Sequence, residues 1–149
     1  NEKDAKLEIA FIGQTPQSVK DFVNTTHLEK YVKVFPPVKY KESQQILESY
    51  DIQLIVEAPC EEGIFLPTKV SDSMQLGKPI FTISPSVGVL NDLYKQGHIS
   101  YFSSVQNEKN ILSTLRQIYK DFTNGKIKSF SLEKSYSPRT IVQQYNEII

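Results

Sequence analysis

The residues best suited to chemistry lie in one short segment that begins at Pro67. Pro67 marks a predicted helix start, and Thr68 and Lys69 follow in the first turn. Backbone N–H groups at a helix N-terminus favour a phosphate or another anion. The Thr68 hydroxyl adds a hydrogen-bond donor and Lys69 adds a mobile cation, and both suit a diphosphate. Asp72 follows on the same helix face, where its carboxylate can accept hydrogen bonds from ribose hydroxyls.

A simpler interpretation of the same segment is structural. Lys69 and Asp72, three residues apart, are typical of an exposed ion pair worth about a few tenths of a kcal/mol. Thr68 alone is a common first-turn residue. Two further carboxylates, Glu61 and Glu62, lie in the preceding loop, which would close over an anion bound at the helix start.

Short apolar runs alternate with amphipathic stretches along the chain. Strands are predicted at residues 7–12, 32–35, 52–58, 79–83 and 99–102, and helices lie between them, notably at 41–50, 67–76 and 89–96. Asn107 is a predicted N-cap for a longer helix, and Gly77 a predicted C-cap. A closing helix is predicted to run to the chain end after Pro138. The alternation predicts a Rossmann-like α/β fold, a parallel sheet of about five strands with helices on both faces.

In such sheets, ligands bind beyond the carboxyl ends of the strands, where the strand order reverses. If the first and third strands are neighbours at that point, the loops after Ile12, Ala58 and Ile83 line the site. The first of these loops contains Gly13, whose neighbouring backbone N–H groups could face a ligand. It is at least as typical of a plain turn from strand to helix.

Composition narrows the function classes. The chain has 149 residues, which predicts a single domain over 1–149. Lys plus Arg and Asp plus Glu are both 17, so the net charge argues against nucleic acid as a partner. The one cysteine, Cys60, cannot form an internal disulfide, which favours a reducing, cytoplasmic location. The absence of an initial methionine suggests an excised fragment of a longer protein.

Other chemistry has little support in the sequence. No metal-ligand cluster occurs at recognisable spacing, so no metal is expected. His27 and His98 are isolated and are interpreted as ordinary loop or surface residues. No residue is assigned a catalytic role.

The segment FLPTKVSDSMQLGKPIFTI resembles the donor-binding motif of retaining glycosyltransferases with the GT-B fold, the group that includes many bacterial polysaccharide-synthesis enzymes. Flanking similarities are weaker: an aspartate before the third strand, a glycine loop before the next helix, a glycine before the fifth strand and a terminal helix. The central matches are Pro67, Thr68, Lys69, Asp72, Met74, Gly77 and Pro79, and the flanking ones are Asp51, Gly88, Asn91, Asp92, Gly97 and residues 136–149.

The resemblance implies a domain that binds a nucleotide-diphosphate sugar. Thr68 and Lys69 would contact the diphosphate, and Asp72 the ribose. The main chain around Gly88 would approach phosphate or sugar, and Glu61 or Glu62 would lie near the sugar. No metal or other cofactor is implied. The implied partners are the nucleotide sugar and an N-terminal acceptor-binding domain of the parent chain, the only part through which membrane contact is expected.

The chain departs from the family pattern at positions that affect donor binding. Asp72 takes the place of a second glutamate, and either Glu61 or Glu62 could be the first. The family's phosphate-clamping arginine and lysine usually precede the first strand, where only Lys3 and Lys6 are present. We therefore expect the isolated chain to bind donor weakly and to transfer nothing.

Two alternatives stay open at this point, and a third is disfavoured. The chain could be half of a nucleotide-sugar epimerase, which shares this architecture. It could be a degenerate, non-catalytic Rossmann-like binding module, since its loop at 84–89 keeps one glycine where relatives often have two. A receiver-type signalling module is disfavoured, because no carboxylates cluster after Ile12.

Overall fold

The computed structural model describes residues 7–127 and positions 142, 143, 146 and 147. Lys3, Lys6 and the predicted closing helix lie outside the described residues, apart from those four positions. The chain divides into two compact units, Asn1–Ser49 and Tyr50–Ile149. Parallel strands alternate with helices in both units, so the predicted α/β class is confirmed.

The first unit contains two parallel strands and two helices. Ile9 lies opposite Val32, and Ile12 opposite Phe35. The prolines after Phe35 end the second strand, because proline has no N–H to donate to a sheet. In chain order the elements are β1 (Ile9–Ile12), α1 (Gln17–Thr25), β2 (Val32–Phe35) and α2 (Tyr40–Ser49).

The second unit is built on a three-stranded parallel sheet with the order β3-β5-β7. Two short strands form a separate parallel ladder. The elements are β3 (Gln53–Val56), β4 (Glu62–Gly63), α3 (Thr68–Gln75), β5 (Ile80–Ser84), β6 (Val87–Gly88), α4 (Val89–Lys95), β7 (Tyr101–Ser104) and α5 (Glu108–Thr123).

Helices cover both faces of the three-stranded sheet, as predicted. Successive residues of the central strand point to opposite faces. Ile80 therefore joins the core under α3 and α4, whereas Phe81 packs with Tyr101 against Ile118 of α5. The side chains of the first core are Ile55, Val70, Met74, Ile80, Leu90, Leu93 and Ile99.

The strand pairing differs from the predicted single sheet of about five strands. In the first unit β1 pairs with β2, and in the second β3 pairs with β5 and β5 with β7, so each described sheet has fewer strands than predicted. Alternation of strands and helices predicts parallel crossovers, but it does not say which strands lie side by side.

Some boundaries also differ. The last strand begins at Tyr101 rather than Ile99, because Ile99 is buried in the core under α3 and α4 instead of pairing with β5. The predicted loop at 60–66 contains the short strand β4, which the sequence did not indicate.

Both predicted caps are present. The Asn107 side-chain oxygen accepts a hydrogen bond from the Asn110 amide at 3.0 Å, which begins α5. Gly77 has a φ of 63° after α3, and its amide donates to the Met74 carbonyl at 3.1 Å. These local contacts follow from residue type alone, which is why sequence reasoning found them.

Candidate functional site

Three loops of the second unit leave the carboxyl edge of the sheet, after β3, β5 and β7. The β4–β6 ladder joins the first two of these loops. Glu62 lies opposite Val87, and Gly63 lies opposite Gly88. The ladder therefore brings the loop carrying the candidate carboxylates next to the glycine loop.

The two glycines of this ladder are in close backbone contact. Gly88 has a φ of 143°, and a Cβ added to it would lie 2.7 Å from the Gly63 nitrogen. No side chain fits at that distance. The resemblance assigned the main chain of Gly88 to phosphate or sugar, and the structure places that main chain against Gly63.

Glu57 lies against Gly63 of the ladder and was not identified from the sequence. A Cβ added to Gly63 would lie 2.9 Å from Glu57 Oε2. That oxygen is buried and has no hydrogen-bond partner within the described part of the chain. Desolvation by burial raises the pKa of the Glu57 carboxyl above its ordinary value.

Side-chain hydrogen bonds connect all three loops. The Ser86 hydroxyl donates to Ser104 Oγ at 2.9 Å, and the Ser104 hydroxyl donates to Gln106 Oε1 at 2.7 Å. Gln106 Nε2 then donates to the Cys60 carbonyl at 2.8 Å, and the Cys60 thiol contacts the Glu62 carbonyl at 3.3 Å.

Because Glu62 pairs with Val87, the residue after Ser86, these contacts close a ring. We call the set Cys60, Glu62, Ser86, Val87, Ser104 and Gln106 the three-loop ring. Its only sequence signal is a run of serines at the ends of two predicted strands, which is too general to identify it.

Helix α3 begins as the sequence predicts. Pro67 precedes it, and no side chain caps its first turn. Val70 and Met74 are buried and hold one face of the helix in the core. Thr68 and Lys69 lie on the exposed side of the first turn, and Asp72 is partly buried.

Lys69 is available to a ligand. Its side chain is exposed, and its ammonium group forms no hydrogen bond or ion pair with the described residues. The exposed ion pair with Asp72, the simpler interpretation of the spacing, is therefore absent from this part of the chain.

An apolar segment connects the ladder to α3. Ile64, Phe65 and Leu66 are all exposed, Phe65 by 77%. Glu61 and Glu62, just before this segment, also have exposed side chains. The loop thus presents two carboxylates and an aromatic ring to solvent.

Gly13 belongs to the first unit. It has a φ of 120°, and its amide donates to the Phe35 carbonyl at 3.2 Å. It lines a cavity of about 640 Å³, a size typical of small-molecule pockets. The other lining residues are Gln14, Thr15, Lys20, Val23, Asn24, Glu29, Val32, Val34, Phe35, Pro36 and Pro37.

His98 lies in the loop between α4 and β7, as interpreted, but it is not a surface residue. The residue is buried, with 9% of its surface exposed, and its amide donates to the Leu93 carbonyl at 2.9 Å. Gly97, with a φ of 83°, turns the chain after α4 and directs it back into the core.

Two features are absent from the part of the chain that the structure describes. No three His, Cys, Asp or Glu side chains lie together as a possible metal-binding group. No helix in the same residues combines the length and the apolar character needed to cross a membrane.

No protein-family model and no curated protein matches the sequence. The proposal of a function therefore rests on two observations: the placement of the site residues and the resemblance of the segment at residues 65–83.

Proposed function

We propose that the chain is the nucleotide-diphosphate-sugar-binding domain of a glycosyltransferase. The parent enzyme would transfer the sugar, with retention, to a glycan or lipid-linked acceptor held by a separate domain. The observation that carries the proposal is the β4–β6 ladder, which joins Glu62–Gly63 to Val87–Gly88. These are parts of two segments that the family resemblance assigns to the donor, and they meet at the carboxyl edge of a parallel sheet.

The start of α3 supports the diphosphate assignment. An uncapped first turn leaves backbone N–H groups without intrahelical partners, and the helix dipole favours negative charge there. The exposed Thr68 hydroxyl and Lys69 ammonium lie in the same turn. Together these groups would stabilise the charge that develops on a departing nucleoside diphosphate.

Asp72 and the two glutamates would bind hydroxyl groups. Asp72 lies one turn after Thr68 and is partly buried, so a ribose hydroxyl bound there would be shielded from water. Glu62 in the ladder and Glu61 just before it have exposed side chains, where the resemblance expects sugar contacts. Carboxylates are acceptors only, which suits a ligand rich in hydroxyl donors.

Ligand-observed NMR on this chain tests the proposal. UDP, GDP and ADP would be titrated separately, followed by their sugar conjugates, with inorganic diphosphate as a control. We expect one nucleoside diphosphate to bind more tightly than the others and than inorganic diphosphate. Binding by none of them at millimolar concentration, or binding no tighter than inorganic diphosphate, would contradict a nucleotide site and favour a degenerate module.

The parent-length protein separates the transferase from an epimerase. Incubation with the preferred sugar nucleotide and a glycan or lipid-linked acceptor should release nucleoside diphosphate as the sugar is transferred. Conversion of the donor to its epimer with no nucleotide released would contradict the transferase assignment.

A further inference from the structure

We infer that Gln106 is a positioning residue of the candidate donor site, an inference that rests on the proposed function. Gln106 follows β7 and lies 46 residues from Cys60 in the sequence. Its amide bridges the end of β7 to the loop that carries Glu61 and Glu62. It therefore controls where those carboxylates lie without contacting the donor itself.

Both ends of the Gln106 amide are used. Its oxygen accepts from the Ser104 hydroxyl at 2.7 Å, and its nitrogen donates to the Cys60 carbonyl at 2.8 Å. The Cys60 carbonyl can only accept a hydrogen bond, so it fixes the nitrogen end of the amide toward the loop. Only a side chain with a donor and an acceptor at this reach can make both contacts.

Further contacts connect the Gln106–Cys60 hydrogen bond to the β4–β6 ladder. The Cys60 thiol contacts the Glu62 carbonyl, and Glu62 pairs with Val87 in the ladder. On the opposite side, Ser86 is held by Ser104 and by the Asn91 side chain, which donates to the Ser86 carbonyl. Gln106 is the only member of the ring that joins the loop after β7 to the loop after β3.

Burial distinguishes a positioning role from a role in stability. Gln106 and Cys60 are both exposed, so water can replace their hydrogen bond when the chain unfolds or when the bond is lost. Loss of the Gln106 side-chain amide should therefore have little effect on global unfolding, yet it should release the loop locally.

The test compares Gln106→Met with Gln45→Met. Methionine has similar length and no charge but lacks both hydrogen-bonding groups, and Gln45 is exposed in the middle of α2 in the first unit. Amide hydrogen exchange is measured by NMR at Glu62, Gly63, Val87 and Gly88, and donor affinity by titration with the preferred nucleoside diphosphate sugar.

In Gln106→Met we expect those amides to exchange about fivefold to tenfold faster, as loss of one hydrogen bond implies. Donor affinity should fall by a similar factor with an unchanged denaturation midpoint, and Gln45→Met should alter neither. Unchanged exchange at the ladder, or faster exchange with unchanged donor affinity, would overturn the inference and leave the proposed function intact. Absence of binding by the unmodified chain would instead count against the proposed function.

Discussion

Gly63 and Gly88 lie opposite each other in the β4–β6 ladder, so closely that a Cβ on Gly88 would lie 2.7 Å from the Gly63 nitrogen. This contact lets two loops from neighbouring strands run side by side as backbone. It also sets the position of Glu62, the residue before Gly63, relative to the start of α4. Glycine at both positions is thus a requirement of the candidate site's architecture.

Replacement of Gly88 by alanine should be strongly destabilising. The added Cβ would clash with the Gly63 backbone, and a φ of 143° is unfavourable for alanine. We expect a loss of about 3 kcal/mol in the free energy of unfolding, measured by urea denaturation. Gly97→Ala is the control, because φ is also positive there but nothing lies within 4 Å of the added Cβ, so about 1 kcal/mol is expected. Equal losses in the two variants would contradict the close contact.

Glu57 should make stability depend on pH. Its pKa is raised in the folded chain above the ordinary value of 4.5 by desolvation, so the folded state holds the proton more tightly than the unfolded state. Stability should therefore fall as pH rises from near 4.5 through the folded-state pKa, and be regained as pH falls.

The Glu57→Gln variant has no carboxyl group to titrate at this position, so it tests the predicted pH dependence of stability. The unfolding free energy of the unmodified chain, relative to the variant, should fall as the pH rises above 4.5 and Glu57 loses its proton. Denaturation curves at a series of pH values measure this difference. A difference that stays constant over the range would show that Glu57 is not desolvated in the folded chain.

The cap at the start of α5 should contribute measurably to stability. Asn107→Ala removes the acceptor for the Asn110 amide, and a loss of about 1 kcal/mol is expected. Asn107→Ser should retain most of the stability, because a serine hydroxyl can accept the same bond. Urea denaturation of the two variants gives the comparison, and similar losses in both would argue against a capping role.

Asp72 should select for ribose. If its carboxylate accepts a ribose hydroxyl, the unmodified chain will prefer a ribonucleoside diphosphate over its deoxyribose form by roughly tenfold. Asp72→Asn should reduce this preference by weakening the ribonucleotide alone. Titration of both ligands into both proteins measures it, and equal affinities of the unmodified chain for the two ligands would refute the ribose role.

The sequence predicted those parts of the fold that depend on local pattern. The helices at 67–76 and 89–96 and the caps at Gly77 and Asn107 follow from periodicity and residue type, and the structure contains them. It did not predict which strands pair within each unit, because strand adjacency depends on contacts distant in sequence. It also missed β4 and β6, whose pairing requires two glycines 25 residues apart.

The residues of the candidate site were likewise predictable only where their placement depends on neighbouring residues in the sequence. Thr68 and Lys69 could be placed at a helix start from neighbouring residues alone. Glu57 could not, because its burial depends on its contact with Gly63 of the ladder. The contact made by Gln106 could not be predicted either, because its partner Cys60 lies on a different loop and neither residue type indicates the contact.

The most direct test of the proposed function compares nucleoside diphosphate binding by Lys69→Ala and Lys120→Ala. Lys120 is also exposed but lies in the last turn of α5, away from the helix start that would bind the diphosphate. We expect Lys69→Ala to weaken binding roughly tenfold with an unchanged denaturation midpoint, and Lys120→Ala to bind as the unmodified chain does. Equal affinity in both variants, or a loss of stability in Lys69→Ala with unchanged affinity, would contradict a donor site at the start of α3.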